Sequence, residues 1–272
     1  MQSVSFDRAA HIYDETRGFP PGIGDLVAEA ALDFLPRHAR VLEVGIGTGR
    51  IAKPLLARGA EVWGIDLAPK MMARLLETLP PGAKPPPLTL ADAASLPFRT
   101  ESFDAALSVH VFHLIADWRT AAREVRRMLR PGGVFLIGYD WRETDSPGER
   151  LRDRWRAIIA GRGVSNQPGA HDFSDVEAFL RADGVEMQER AVGQWTTTRT
   201  LAQHIETIEH RTWSSSWDVP EHFFAECLAE LRAWALGEFG SLEREFTVAH
   251  KFVWQCYRWS QPMENGRAGK NG

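Results

Sequence analysis

Val41-Leu42-Glu43-Val44-Gly45-Ile46-Gly47-Thr48-Gly49-Arg50 is the stretch that decides the fold of this 272-residue chain. A short apolar strand breaks into glycines at alternate positions and then enters a helix. Glycine adopts positive φ without a steric penalty and lets a ligand lie against bare main chain. A glycine-rich turn between a strand and a helix is where open α/β sheets bind nucleotides. The dinucleotide fingerprint G-x-G-x-x-G needs a small residue at position 50, and Arg50 stands there. The pattern is E-x-G-x-G-x-G instead. The plainer alternative is a glycine turn with a folding role only.

Glu61-Val62-Trp63-Gly64-Ile65-Asp66-Leu67 reads as the next strand. It ends in a carboxylate roughly 20 residues past the loop, where an acid accepts hydrogen bonds from a ribose diol. Asp66 also fits as a cap for a helix starting near Pro69. Strand-like and helix-like segments alternate from Arg40 to Asp140, which predicts a mostly parallel sheet with helices on both faces. The blocks at 41–46, 62–67 and 134–139 are short and continuously apolar, as strands covered on both sides are. Pro80 to Pro87 is too proline-rich for either element and is expected to be a surface connection.

Further along, Leu88-Thr89-Leu90-Ala91-Asp92-Ala93 and Ser102-Phe103-Asp104-Ala105-Ala106-Leu107-Ser108-Val109-His110 read as the third and fourth strands. A helix through Glu124 and Met128 ends in Pro131-Gly132-Gly133 before a fifth. With the glycine loop, this series resembles the class I S-adenosylmethionine (SAM) methyltransferases. It is similar to their ubiquinone/menaquinone-type (UbiE-like) branch, the type 11 methyltransferase domain. The resemblance covers residues from about 40 to 140. Ile12 to Arg17, followed by Pro20-Pro21, and the segment beyond 140 resemble uncharacterised bacterial members, which supply a fold but no substrate. The implied architecture is a Rossmann-like, doubly wound, seven-stranded sheet, mostly parallel with an antiparallel last strand, carrying helical lid insertions.

The same resemblance implies SAM as the cofactor and assigns roles. Gly45, Gly47 and Gly49 bring backbone to the cofactor. Glu43 orders the loop and the methionine amino group. Asp66 holds the ribose, and Asp92 and Ala93 border the adenine. Leu67 is a candidate to pack on the adenine face, with a core leucine an equal reading. Tyr13 and Arg17, one helical turn apart, are placed to close over the cofactor, or to form a plain solvent-exposed helix face.

His110 and His113 follow the fourth strand and face the crevice of this fold. Either is a candidate general base, since imidazole titrates near neutrality. The alternative is a hydrogen-bonding wall. Asp140 ends the fifth strand and is a candidate acceptor-binding residue. No metal is expected: catechol-type O-methyltransferases place an acid after the fourth strand, and His110 stands there.

The second half exceeds the minimal fold. Residues 147–163 and 174–182 read as helices around a Gly/Pro-rich stretch from Gly161 to Gly169. Ser174 and Glu177 have the spacing of a capping box. Val185 to Trp195 is expected to be the sixth strand. A helical stretch follows, in which Phe224, Cys227, Leu228, Leu231, Trp234 and Ala235 share a face. Thr247 to Trp259 alternates as the closing strand. We expect one domain over 1–260, with N-terminal helices at 1–39, a SAM-binding core at 40–140, helical insertions forming a lid at 141–183 and 198–240, and a flexible tail at 261–272. Eight of the ten tryptophans lie after residue 140. Trp213 and Trp217 are candidates for an organic acceptor's apolar surface, or for the insert's own core.

Composition narrows the function. The chain has 44% hydrophobic and 25% charged residues and a net charge of −4. That gives no whole-chain electrostatic footprint for nucleic acid, and no Asn-Pro-Pro-Tyr-type motif for a flipped base occurs. Cys227 and Cys256, the only cysteines, make neither a disulfide framework nor a zinc spacing. The N-terminal charges exclude the apolar core of a signal peptide, and no apolar run approaches the ~20 residues that span a bilayer. A cytoplasmic enzyme is expected, monomer or dimer, free of membrane and nucleic acid, that methylates a small apolar or aromatic acceptor. The competing readings are a catalytically inactive SAM-binding scaffold and a nicotinamide-dependent oxidoreductase.

Overall fold

The computed structural model describes residues 2–164 and 168–259. Seven strands form one sheet: β1 (Arg40–Val44), β2 (Glu61–Asp66), β3 (Leu88–Leu90), β4 (Phe103–Val109), β5 (Leu129–Arg142), β6 (Val185–Thr200) and β7 (Glu245–Trp259). Their order is β3-β2-β1-β4-β5-β7-β6. β1 to β5 pair in parallel, while β7 runs antiparallel to both β5 and β6. This is the Rossmann-like arrangement expected from the sequence. Chain order reverses between β1 and β4, so a crevice opens beyond their carboxyl ends, where α/β sheets bind ligands.

The helices are α1 (Tyr13–Arg17), α2 (Ile23–Phe34), α3 (Ala52–Ala57), α4 (Pro69–Glu77), α5 (Trp118–Met128), α6 (Pro147–Ala160), α7 (Phe173–Ala182), α8 (Leu201–Glu209) and α9 (Glu221–Phe239). One face of the sheet packs on α2, α3 and α4 through Val27, Ala31, Leu55 and Leu75. The indole Nε1 of Trp254 on β7 pins α2 by donating to the Val27 carbonyl at 3.0 Å. The opposite face packs on α5 and α7 through Trp118, Val125, Val176 and Leu180. The continuous apolar runs of β1 and β5 follow, since each strand is covered on both sides.

A third core stands off the sheet. Leu151 and Trp155 of α6, Leu201, Ile205 and Ile208 of α8, and Phe224, Cys227, Leu228 and Leu231 of α9 bury one another. Local signals set these helices. Ser146 caps α6 by accepting from the Glu149 amide at 3.3 Å, with Pro147 in the first turn, where its missing N–H costs nothing. Thr200 and Gln203 form a reciprocal capping box on α8, and Gly240 ends α9 in the left-handed region.

Two sequence expectations need correction. The helix expected from Ser174 is capped by Asp172, whose carboxylate accepts from the Ser174 and Asp175 amides. Glu177 pairs with Arg181 instead of reaching back to Ser174. β6 runs on to Thr200, because the β-branched run Thr196-Thr197-Thr198 pairs with β7 down to Glu245. The helical stretch after β6 is two helices, broken by a short turn at Ser214–Ser216. The tail at 261–272 and part of the Gly161–Gly169 stretch lie outside the described residues.

Candidate functional site

A cavity of about 790 Å³ opens at the carboxyl ends of β1, β2, β4 and β5. That lies within the range of roughly 300–1,000 Å³ that suits small-molecule ligands. The glycine turn forms one wall. Gly45, Gly47 and Gly49 all hold positive φ, at 75°, 54° and 78°. The Gly45 and Ile46 amides both donate to the Ile65 carbonyl at 2.9 Å, which fastens the turn to the end of β2. A Cβ on Gly45 would stand 2.3 Å from Val111 Cγ2. A Cβ on Gly47 would approach Met71 Cε to 3.3 Å, and Gly45 and Gly47 both line the cavity. The turn therefore presents bare backbone to a ligand.

Asp66 stands beside it. One carboxylate oxygen accepts from the Gly47 amide and the other from the Ala68 amide, both at 2.8 Å. It is thus both a loop brace and a local turn former, with lone pairs left for a ligand. Burial raises its carboxyl above the ordinary value, while the backbone amides of Ala68, Gly47 and Leu67 pull it down. Leu67, Met71 and Ala93 complete this wall, and Tyr13 and Arg17 close it from the N-terminal side.

Three residues expected at the cofactor do not line the cavity: Glu43, Gly49 and Asp92. Glu43 lies in β1, 2% exposed, and its Oε2 has no hydrogen-bond partner among the described residues. Burial pushes its carboxyl well above the ordinary carboxylate range. Gly49 packs on Leu75, where a Cβ would sit 2.9 Å from its side chain. Asp92 turns its carboxylate back onto the Ala94 amide at 2.9 Å.

His110 closes β4 with a φ of 57°, a conformation uncommon outside glycine and characteristic of functional turns. Its Nε2 accepts from the Asp140 amide at 3.1 Å and lies 3.0 Å from Asp140 Oδ2. One ring nitrogen does not accept and donate at once. A neutral ring accepts from the amide, and a charged ring donates to the carboxylate. Burial lowers the imidazole below its ordinary value, with Asp140 pulling the other way. Burial alone would raise the Asp140 carboxyl, but His110, Arg50 and Arg142 outweigh it and hold it well below the usual range. Burial, reinforced by His110, Arg17 and Arg156, pushes His113 down to about 3. His110, His113 and Asp140 all line the cavity.

The two candidate acceptor tryptophans part company. Trp213 lines the cavity. Trp217 does not: its ring packs on Phe6 at 4.7 Å and under Arg8, and its Nε1 donates to the Arg211 carbonyl at 2.7 Å. The N-terminal segment claims it. The expectation that both meet the acceptor is corrected for Trp217.

Several site residues escaped the sequence reading. Arg50 ties three parts together: it donates to the Arg17 carbonyl at 2.9 Å, pairs with Asp140 at 3.3 Å and sits over the Phe19 ring. Asp14 accepts from the Thr48 hydroxyl within the glycine turn and pairs with Lys53. Arg142, Arg152, Arg156 and Arg199 also line the cavity. Arg142 follows Asp140 by two positions on one strand, and Arg152 and Arg156 are four apart on one helix. Both spacings were visible, but nothing in them pointed to this cavity. Among the described residues no group of His, Cys, Asp and Glu side chains is arranged to hold a metal ion, and no helix is long and apolar enough to cross a membrane.

Residues 42–137 match the family model described as a methyltransferase domain. This is a class I methyltransferase fold. The fold brings curated relatives with it. A malonyl-[acyl-carrier protein] O-methyltransferase of Halorhodospira halophila is 32% identical over 173 residues, 63% of this chain and 57% of that one. A 2-methyl-6-phytyl-1,4-hydroquinone methyltransferase of Synechocystis sp. is 29% identical over 214 residues, 73% of this chain and 65% of that one. The chain thus spans under two thirds of these relatives' length. The solved YcgJ protein of Bacillus subtilis shares the methyltransferase fold at a TM-score of 0.58 with 18% identity, covering 88% of this chain and 99% of its own.

Proposed function

We propose that the protein transfers a methyl group from SAM to a small organic acceptor. The observation that carries this reading is the bare-backbone turn at Gly45 and Gly47, set against the Asp66 carboxylate on one wall of a single cavity. These residues suit SAM. The bare main chain of Gly45 and Gly47 would lie against its amino-acid part, with carbonyl oxygens as acceptors, and Asp66 would meet its ribose. Leu67 and Ala93 would border the adenine. Glu43 and Gly49 would act from beneath, Glu43 from its buried place at the end of β1 and Gly49 by allowing the turn to pack on Leu75. Asp92, with one oxygen accepting from the Ala94 amide, would turn its other oxygen to an adenine amino group.

When bound, SAM supplies an electrophilic methyl on a sulfonium. Transfer to a neutral or anionic nucleophile dissipates that charge, so a site that expels water favours the step. The chain supplies position and exclusion of water. His110 and Asp140 would present a polar pair to the acceptor. Because Nε2 is engaged by Asp140, any proton taken from the acceptor by a neutral His110 would involve a change in that contact. The N-terminal segment around Tyr13 and the helices after β6 would act as a lid. The two segments touch each other, from Arg17 to the Thr212 carbonyl and from Phe6 to Trp217.

Titration calorimetry of the full chain with SAM, S-adenosylhomocysteine and NADH tests this reading. Binding of the first two, without NADH, is expected. NADH binding in their place would return the oxidoreductase reading. Cofactor binding with no transfer of labelled methyl to any small molecule of a broad panel would return the scaffold.

A further inference from the structure

The cavity carries an uneven charge. Arg17, Arg50, Arg142, Arg152, Arg156 and Arg199 line it. Against them stand Asp66, Asp140, Glu149 and Asp172, of which Asp66 braces the glycine turn and Asp172 caps α7. In a net acidic chain, this lining carries more cationic than anionic side chains.

Their pairing is incomplete. Arg142 and Arg152 converge on the same oxygen of Glu149, at 3.2 and 3.0 Å. The Arg152 guanidinium carbon lies over the Trp213 ring, 4.4 Å from its centre, and its Nε has no hydrogen-bond partner among the described residues. Arg17 reaches the Thr212 carbonyl at 3.5 Å. The Nδ1 of His204, on the same wall, is likewise unpartnered. Burial, together with Arg142, disfavours the charge on Arg152, and burial does the same to Arg17. Like charges gathered in a partly buried wall lower stability unless a counter-charge meets them. Guanidinium forks match the planar or tetrahedral oxygens of carboxylate and phosphate.

We propose that the acceptor carries an anionic oxo group, a carboxylate or a phosphate, received by Arg152, Arg142 and Arg17, with its apolar body against Trp213. The proposal deepens the methyltransferase reading and rests on it. It adds an anionic handle to the small apolar or aromatic acceptor expected from sequence. The anionic group is the handle that orients the acceptor, and Trp213 serves both partners: one part of its ring supports Arg152, and its cavity face offers apolar surface.

The test is calorimetry on the full chain saturated with S-adenosylhomocysteine, using three probes of similar shape: phenylacetate, phenyl phosphate and neutral 2-phenylacetamide. At least one anion is expected to bind about tenfold or more tighter than the amide, as charge-assisted hydrogen bonds do. Which anion binds distinguishes carboxylate from phosphate. Arg152→Met and Arg142→Gln are each expected to weaken that anion by about tenfold or more. Their unchanged affinity for S-adenosylhomocysteine would show that the variants fold. Equal binding of amide and anions, no binding of either anion, or anion binding that survives both substitutions would overturn the acceptor assignment. Loss of S-adenosylhomocysteine binding in the unaltered chain would instead overturn the cofactor reading, and the acceptor assignment with it.

Discussion

The two walls of the cavity are built on opposite plans. The wall at β1 and β2 is mostly backbone: a glycine turn, one braced carboxylate and small apolar side chains, drawn largely from residues 44–93. The wall at β5, α6 and the protruding ends of β6 and β7 is mostly side chain. Its guanidinium groups and rings come from positions as far apart as Arg17, Arg152, Trp213 and His250. Where a ligand must approach main chain, the chain needs glycines at fixed spacing, and these are local in sequence. Where a ligand is met by long side chains, any arginine on any nearby element serves, and folding alone decides which ones meet. The first wall suits a constant ligand and the second a variable one.

The largest test of this contrast concerns the third core. Trp155 of α6 is fully buried against Phe224, with ring centres 5.8 Å apart. Truncating a buried aromatic costs about 3–5 kcal/mol. Trp155→Ala is expected to lose that much in urea unfolding, with amide exchange accelerating in α6, α8 and α9. The amides of β1, β2 and β4 should stay protected and affinity for S-adenosylhomocysteine should hold. Loss of cofactor affinity alongside would mean that the two walls are one cooperative unit.

Asp66→Ala probes the other wall. Losing hydrogen bonds from a charged group costs about 1.5–3 kcal/mol, so cofactor affinity should fall by that amount in calorimetry. The Gly47 and Ala68 amides also lose their acceptor, so a thermal melt must show that the variant is folded. A folded variant with unchanged affinity would remove Asp66 from the cofactor site and leave it a turn brace.

The contrast also explains what was readable beforehand. The buried strands and the glycine turn were legible because burial on both faces forces continuous apolar runs, and backbone approach forces glycine. Asp66 was legible by its distance from the turn. The split fate of Trp213 and Trp217 was not. It depends on Phe6 and Arg8, more than two hundred residues away, reaching Trp217. Arg50 was read only as a departure from the dinucleotide pattern, because its partners Asp140 and the Arg17 carbonyl come together only in the fold. The helix cap at Asp172 was missed because Ser174 offered a competing spacing two residues on.

His113 sharpens the comparison through pH. Its folded value of about 3 lies below the ordinary imidazole value of 6.5. Between these limits the unfolded chain binds the proton and the folded chain does not, so stability falls as pH drops from 6.5 towards 3. At pH 5 the linkage is worth about 1–2 kcal/mol. His113→Asn should therefore flatten the acid side of the stability profile without changing it above pH 7. An unaltered profile would mean that water reaches the ring and His113 is not a dry wall residue.

The smallest effect is expected where the two walls are joined over the top. Trp217 packs edge-on to Phe6, and Phe6 packs in turn on Tyr13 at 5.9 Å. Tyr13 opens the short helix α1, whose Asp14 and Arg17 touch the glycine turn and Arg50. One ring contact thus links the helical region to the cofactor wall through the N-terminal segment. An aromatic pair is worth about 0.5–1.5 kcal/mol beyond its buried area. Trp217→Leu keeps most of that area and removes the ring geometry, so cofactor affinity should weaken by less than about tenfold on that scale. Amide exchange should quicken at residues 6–17 and stay constant at 40–66. Segments that open for ligand come from the low-stability end of a structure, so saturating S-adenosylhomocysteine should slow exchange at 6–17 again in both proteins. Exchange there that ignores both the substitution and the ligand would leave the N-terminal segment a fixed wall, and the lid would have to be sought in α8 and α9 alone.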